Sequence, residues 1–118
     1  MVTKVVNVRD YKPYSKYWTN PPTNPYVYIG RAVQYYGKVI IPFESKWYNP
    51  KPIKNSNDMA ERLEAIRYYK EDYFPNSGLI NQIHELKDKI LGCWYKPDPC
   101  HGDFLVELAN SNELNLTN

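Results

Sequence analysis

Three short apolar runs rich in β-branched residues mark the first half of the chain. They lie at residues 3–8, 26–29 and 39–43, and runs of this length and composition predict β-strands. Residues 31–37, which end at a glycine, predict a short helix or a turn. The segments 10–25 and 44–55 are rich in Pro and Tyr. We expect long surface loops there, because Pro disrupts helices and central strands.

The second half has the spacing of amphipathic helices. Five apolar residues recur every three or four positions and predict one helix: Met59, Leu63, Ile66, Tyr69 and Tyr73. Its cap is Asp58 or Ser56, and Pro75 is expected to end it soon after Tyr73. The remaining pattern predicts a helix over 79–87, a buried strand over 90–95, a helix over 103–110 and a frayed polar tail over 111–118.

This order of elements predicts an α/β fold with a small mixed β-sheet and helices packed on it. A single domain over residues 1–110 is expected, because 118 residues are one domain's length. In open sheets of this kind, ligands bind beyond the carboxyl ends of the strands. The loop 96–102 follows such a strand end, and we therefore expect the functional site near it.

Composition narrows the class of protein. The net charge of +2 is too even to indicate nucleic-acid binding, and the two cysteines exclude a disulfide-stapled mini-domain. There is no apolar run of membrane-spanning length, and residues 1–10 lack the apolar core of a signal peptide. We expect a cytoplasmic protein, in the host cytoplasm if the protein is viral, with no membrane partner.

Cys93, Cys100 and His101 form the sharpest chemical constellation. Cys100 and His101 precede the last predicted helix, whose N-terminus favours thiolates, so His101 is a candidate base for either cysteine. The structural alternatives are a buried Cys93 and a loop-capping His101. A disulfide between the cysteines would be unusual in a cytoplasmic protein. The spacing C-x6-C-H matches no strong zinc signature, and we predict neither a metal nor a cofactor.

Three cations follow predicted strands at close spacing, namely Arg9, Arg31 and Lys96. If two of these strands are parallel, the cations converge at one sheet edge. With the N–H groups of the last helix they would form a pocket for phosphate or carboxylate. Asp103 would accept a hydrogen bond from a ribose hydroxyl or cap the helix. The alternative is that all of these charges are solvated.

Aromatic residues interleave with lysines in both predicted loops, a pattern that can stack nucleotide bases. The residues concerned are Tyr11, Tyr14, Tyr17, Trp18, Trp47 and Tyr48. For most of them we favour the structural alternative, in which the rings fold the loops onto the sheet. Trp47 or Tyr48 remains a candidate stacking face.

Four sequence pieces resemble the domain of unknown function 4326 family of bacteria and phages. They are VVNVR (5–9), VYIGR (27–31), SKWYNP (45–50) and LGCWYKPDPCHGDFLVELAN (91–110), of which the last is the most specific. The resemblance implies no established activity. The family's recurring polar residues correspond here to Asn7, Arg9, Arg31, Asn49, Cys93, Lys96, Cys100, His101 and Asp103.

This chain departs from the family pattern in three places. Tyr48 replaces a Gly, Tyr95 replaces a second Cys, and residues 32–44 are longer than the usual spacing. If the missing Cys were a nucleophile or ligand, this chain has lost that function. The departures suit a viral protein that has retained a pocket and changed its use.

The sequence therefore predicts a small protein of phage or viral type that binds a phosphorylated, nucleotide-like small molecule, for example to sequester a defence signal. Asn7 and Asn49 would give directional hydrogen bonds beside the cations. One alternative is an enzyme that acts on a nucleoside, nucleotide or base through the Cys/His site. Another is a module that contacts protein or single-stranded nucleic acid. The oligomeric state is open, and a homodimer is one alternative.

Overall fold

A parallel β-sheet with helices on it organises the computed structural model, which describes residues 2–18, 25–55 and 57–115. Within these ranges, the strands and α-helices in chain order are β1 (Lys4–Asn7), α1 (Tyr14–Tyr17), β2 (Tyr26–Tyr28), β3 (Val33–Tyr35), β4 (Lys38–Ile41), α2 (Met59–Tyr68), α3 (Phe74–Ser77), β5 (Ile90–Cys93) and α4 (His101–Asn115). Short 3₁₀ segments cover Val8–Asp10 and Leu79–Leu86, and a π-helical turn covers Tyr69–Tyr73. The predicted α/β class is confirmed.

Strand β5 lies in the middle of the sheet, and β1 and β2 both pair with it in parallel. Its sequence suits this position, because Leu91, Gly92 and Cys93 are buried, as expected for a strand covered on both faces. Asn7 pairs with Cys93, and Tyr28 pairs with Gly92. All three strands therefore end at the same edge, which is the arrangement that the cation spacing required.

Strands β3 and β4 form a separate antiparallel hairpin. The prediction of a helix or turn over residues 31–37 is wrong for Val33–Tyr35, which are extended. Tyr36 and Gly37 form the turn, with φ values of 50° and 77°. Positive φ at both central residues suits the right-handed twist of a two-residue hairpin, so the turn signal at Gly37 belongs to a hairpin.

Two apolar clusters cover the sheet. The helical cluster contains Ile29, Trp47, Tyr69, Phe74, Leu79, Ile83, Leu86, Leu91, Cys93, Cys100, Leu105 and Ala109. The aromatic cluster contains Val8, Trp18, Tyr28 and Ile41, with Tyr11, Tyr14, Tyr17 and Tyr26 packed around it. Successive residues of β5 alternate between the clusters, because side chains of a strand point to opposite faces.

The Tyr-rich segment near the N-terminus is anchored on the sheet. Tyr11, Trp18 and Tyr26 meet with ring centroids 5.6–5.9 Å apart. The predicted loop 10–25 contains one helical turn, α1, which the Pro-rich sequence did not indicate. Residues 19–24 of that loop lie outside the described residues. The structural interpretation of these aromatic residues therefore fits the described part of the segment.

The predicted helix after Asp58 is present, and the Asp58 side chain accepts a hydrogen bond from the Glu61 N–H at 3.2 Å. The alternative cap, Ser56, lies outside the described residues. Pro75 does not end the helical region, since it occupies the first turn of α3, where no N–H is needed. The chain leaves the helical conformation at Gly78, with φ of 79°.

The inward face of α2 differs from the predicted one. Met59 and Leu63 are 44% and 50% exposed, whereas Ala65 and Tyr69 are buried. The π-helical turn after α2 widens the helix and shifts the register of its later residues relative to the earlier ones. This turn follows α2 and does not account for the exposure of Met59 and Leu63. The inward face of the helix runs through Ala65 and Tyr69, which are one helical turn apart.

Helix α4 begins two residues before the predicted start and continues to Asn115, five residues beyond the predicted end. Leu105 and Ala109 are buried, and Phe104 and Leu108 are partly buried against the helical cluster. The division of the chain at residue 110 stays a prediction.

Gly92 generates a test of the central strand. A Cβ at this position would lie 2.7 Å from Cη2 of the Trp18 ring, so we expect Gly92→Ala to lower the free energy of unfolding by about 2–3 kcal/mol. Chemical denaturation measures this loss, and near-UV circular dichroism reports displacement of Trp18. Gly37→Ala is the control, because its strain arises in an open turn with nothing within 4 Å. A near-UV spectrum unchanged by Gly92→Ala would contradict the packing described.

Candidate functional site

A cleft of about 1140 Å³ lies at the carboxyl edge of the parallel sheet. Its walls come from the ends of β1, β2 and β5, the hairpin β3–β4, helix α2 and the two loops 49–53 and 94–101. The cleft sits where parallel sheets commonly bind ligands, and it is large enough for a nucleotide.

The cleft is strongly cationic. Among the described residues, its walls include five basic side chains and one carboxylate, namely Arg9, Arg31, Lys51, Arg62, Lys96 and Asp98. Three of these were expected from sequence, and the structure brings Arg9, Arg31 and Lys96 to one cleft because their strands are parallel. A cleft lined by one sign of charge concentrates ligands of the opposite sign.

Arg9 and Arg31 are exposed, and neither has a carboxylate partner within the described ranges. Arg9 donates to the Trp94 carbonyl at 3.3 Å and lies 5.1 Å from the centre of the Trp94 ring. Arg31 donates to the Asn49 carbonyl at 3.0 Å and lies 5.5 Å from the centre of the Tyr48 ring. Both guanidinium groups are therefore held over aromatic rings and keep donors for a ligand.

Lys96 is paired with the Asp103 carboxylate. Burial opposes the charge of Lys96, but the hydrogen bond and charge of Asp103 outweigh it and leave the pKa of Lys96 raised. The Asn7 side chain donates to the Lys96 carbonyl at 2.6 Å and so fixes the loop to β1. Lys96 is thus a charged side chain held in place at the cleft wall.

Arg62 is a cleft residue that the sequence analysis did not single out. It pairs with Asp98 at 3.1 Å and lies 4.7 Å from the centre of the Tyr95 ring. Its side chain is 11% exposed, and its Nε is buried without a hydrogen-bond partner among the residues that the structure describes. The only sequence signal was its position between the apolar residues of α2, which helical periodicity assigns to the flank of the helix.

Asp103 caps the first turn of α4, as the third residue of a helix does in one half of a capping box. Its carboxylate accepts from the Cys100 N–H at 3.1 Å, and the Cys100 sulfur accepts from the Gly102 N–H. Two helix N–H groups expected to hold an anion are therefore engaged within the protein, and Asp103 acts as the cap, which was one of its two expected roles.

The two cysteine sulfurs lie 3.1 Å apart, and both residues are reduced and buried. The hydrogen bond with the Cys100 thiol lowers the pKa of Cys93 despite burial, and the N–H groups of Tyr95 and Lys96 contribute further. The same hydrogen bond and burial raise the pKa of Cys100. These shifts favour Cys93 as the thiol of the pair that ionises first, with Cys100 retaining its proton.

His101 is a neutral ring bound to two carbonyls. Its Nε2 lies 2.9 Å from the Ile29 oxygen and 3.1 Å from the Trp47 oxygen. Both neighbours are acceptors, so Nε2 carries the proton and Nδ1 carries the lone pair. Burial lowers the pKa of His101 to about 4. Nε2 is thus unavailable as a base for either cysteine, and only Nδ1 retains that capacity.

Both predicted asparagines line the cleft, and their side chains bind backbone. Asn7 accepts from the Arg9 N–H at 2.8 Å. Asn49 donates to the Ala65 carbonyl at 2.9 Å and accepts from the Lys51 N–H at 3.1 Å. These bonds shape the cleft walls, and direct contact with a ligand stays a prediction.

Trp47 does not line the cleft. It is 2% exposed in the helical cluster, where its carbonyl accepts from the Tyr69 hydroxyl at 2.8 Å. Its aromatic bulk completes the core, so Trp47 has no face for stacking. The rings that line the cleft are Tyr14, Tyr28, Tyr35, Trp94 and Tyr95.

Within the described parts of the chain, no group of three or more His, Cys, Asp or Glu side chains is placed to hold a metal ion. In the same parts, each helix is too short or too polar to cross a bilayer.

His101 gives a prediction about pH. The folded state resists protonation of this ring down to about pH 4, whereas the unfolded chain protonates it near 6.5. The stability that a neutral His101 contributes is complete above pH 6.5 and falls as pH drops towards 4, by up to about 3 kcal/mol. His101→Gln retains an N–H donor that cannot titrate, so we expect its stability to decline less over this window. Urea unfolding at half-unit pH steps measures the slopes.

The control for this experiment is His84→Gln, because His84 is exposed and makes neither of the two carbonyl contacts that hold His101. The assignment to His101 would be contradicted if both variants reduced the pH dependence of the unfolding free energy by the same amount.

Comparisons with known proteins place the chain in a family. The family model described as Domain of unknown function (DUF4326) matches residues 12–111. The chain therefore belongs to this family, which confirms the resemblance seen in the sequence.

Two curated relatives come from viruses. An "Uncharacterized 12.4 kDa protein in nrdA-td intergenic region" of Enterobacteria phage T4 is 39% identical over 57 residues, which are 45% of this chain and 53% of the relative. "Uncharacterized protein R718" of Acanthamoeba polyphaga mimivirus is 36% identical over 90 residues, 70% of this chain and 65% of the relative. The chain thus spans about half to just under two thirds of these relatives. No solved structure matches it significantly.

Proposed function

We propose that this member of the DUF4326 family binds a small phosphorylated, nucleotide-like molecule in the cationic cleft. The observation that carries the proposal is the convergence of Arg9, Arg31 and Lys96 at one edge of a parallel sheet. Lys51 and Arg62 add two further cations to the same walls, against one carboxylate, Asp98. Charge-assisted hydrogen bonds from several fixed cations are the usual means of holding a phosphate.

Arg62 supports an anionic ligand independently of the charge count. A buried charged donor without a partner costs about 1–3 kcal/mol relative to a satisfied one. The Nε of Arg62 is such a donor in a residue of the cleft wall. A ligand oxygen would remove this penalty if the Arg62 side chain moved to bring Nε to the cleft, because the atom is buried in the free protein.

Aromatic side chains in the same walls support a nucleotide over a simple phosphate. Tyr35 is 63% exposed, and Trp94 and Tyr95 are partly exposed. A base can stack on such a ring while the phosphate contacts the cations, and stacking contributes about 1–3 kcal/mol per base. Nucleotides therefore fit both the polar and the apolar lining.

Sequestration is the biological use that we favour, because the curated relatives come from a phage and a virus and His101 is poorly placed to act as a base through Nε2. A captured signal of host defence would be one such ligand. The enzyme alternative is favoured by the lowered pKa of Cys93, which lies in the cleft wall. The two functions differ in whether the ligand is returned unchanged.

The first experiment is isothermal titration calorimetry with the four ribonucleoside 5′-monophosphates and their parent nucleosides, at low and physiological salt. At least one monophosphate should bind, with the parent nucleoside about tenfold or more weaker. Arg31→Ala should weaken binding about tenfold or more, because it removes a charge-assisted hydrogen bond. Mass analysis of the mixture then shows whether the ligand is intact.

Arg67→Ala is the matched control, since Arg67 is an exposed arginine on α2 that pairs with Glu64, Glu71 and Asp72 instead of lining the cleft. It should bind the monophosphate like the native chain. Native mass spectrometry of protein purified from cells extends the search to other ligands. The proposal fails if no monophosphate binds and no phosphorylated molecule co-purifies, or if Arg67→Ala weakens binding as much as Arg31→Ala.

A further inference from the structure

Two sulfur atoms in the cleft wall are placed for chemistry with each other. Cys93 ends the central strand and Cys100 caps α4, and both line the cleft although they are 3% and 2% exposed. Their sulfurs are 3.1 Å apart without a bond between them. A disulfide requires an approach of about 1 Å more, which is a small side-chain movement.

The two sulfurs are chemically unequal. Cys93 Sγ accepts hydrogen bonds from the N–H groups of Tyr95 and Lys96 and lies in the field of the Lys96 ammonium group. Cys100 Sγ accepts the Gly102 N–H but also faces the negative charge of Asp103. Two amides and a cation therefore favour charge on Cys93, whereas an adjacent carboxylate disfavours it on Cys100. The surroundings of Cys93 therefore suit a nucleophilic thiolate, and those of Cys100 suit a protonated thiol.

We propose that Cys93 and Cys100 are a reactive dithiol that reduces anionic low-molecular-weight disulfides, with Cys93 as the attacking thiolate and Cys100 as the resolving thiol. The cleft is the site of this exchange, and its cations select the charge of the disulfide.

The exchange balances in two steps. The Cys93 thiolate attacks one sulfur of the disulfide R–S–S–R, forms a mixed disulfide and expels R–S⁻. Cys100 then attacks the Cys93 sulfur of that mixed disulfide, forms the Cys93–Cys100 bond and expels the second R–S⁻, while the Cys100 proton passes to a thiolate product. The dithiol loses two electrons and the small disulfide gains them.

The charge of the walls argues for an anionic partner. Arg9 and Arg31 have no carboxylate partner within the described residues, and both lie on the same cleft as Cys93. They would raise the local concentration of a disulfide that carries carboxylates and repel one that carries ammonium groups. This proposal does not depend on nucleotide binding, since it concerns the sulfur atoms and a different ligand.

Glutathione disulfide is the probe for the reaction, followed by intact-mass analysis and thiol counting. The native chain should lose two hydrogens and both free thiols, without a lasting adduct. Cys100→Ser should stop at the mixed disulfide and carry one glutathione. Cys93→Ser should react about tenfold or more slowly than Cys100→Ser, because Cys100 has a single N–H donor and faces the carboxylate of Asp103, which disfavours its thiolate. Serine at either position keeps the size and polarity of the thiol, and melting curves confirm that both variants fold.

The charge preference is tested with cystamine, a cationic disulfide, in parallel. The measured quantity is the rate of reaction with glutathione disulfide divided by the rate with cystamine. At low salt this ratio should be about tenfold or more higher for the native chain than for a free cysteine peptide at the same pH, and the difference should shrink at high salt. Arg31→Ala should reduce the preference, and Arg67→Ala should leave it unchanged. The proposal is overturned if the folded native chain forms no intramolecular disulfide, if Cys93→Ser reacts as fast as Cys100→Ser, or if cystamine reacts faster.

Discussion

The structure depends on one strand that is paired on both sides. Strand β5 receives β1 and β2 in parallel, so its backbone hydrogen bonds are satisfied within the sheet. Gly92 gives the Trp18 ring room to lie against the strand, and Leu91 points into the helical cluster. Both neighbours run parallel to β5. The three strands therefore end at one edge of the sheet, and the cations that follow them lie together there.

The loop that follows β5 converts this edge into a site. Asn7 holds the Lys96 carbonyl, Lys96 pairs with Asp103, and Asp103 caps α4 at the Cys100 N–H. The first of these bonds joins β1 to the loop, and the other two join the loop to α4. Several polar residues that the sequence singles out at this edge are therefore bonded to one another. They shape a cleft, and among the described residues its lining cations Arg9, Arg31 and Lys51 have no carboxylate partner.

Sequence reasoning located the edge of the sheet better than the residues around it. The runs 3–8, 26–29 and 90–95 showed the three strands, and the parallel assumption placed their cations together. Arg62 was missed because the helical period counted from Met59 and Leu63 assigns it to the flank of α2, whereas the buried face runs through Ala65 and Tyr69. Trp47 was misplaced because a Trp in a Pro-rich loop gives no local signal of whether it enters the core. Such choices depend on contacts between distant segments, which periodicity does not encode.

Charge links the two proposed activities of the cleft. The Cys93 thiolate and a bound phosphate both draw on the field of Lys96 and its neighbouring cations. Two anions in one cleft repel each other, so an anionic ligand favours the protonated Cys93, and a Cys93 thiolate weakens the hold on the ligand. Forming the Cys93–Cys100 disulfide removes the thiolate charge and would therefore strengthen the binding of an anion. Because such coupling is reciprocal, a bound anion would favour formation of the disulfide by the same free energy.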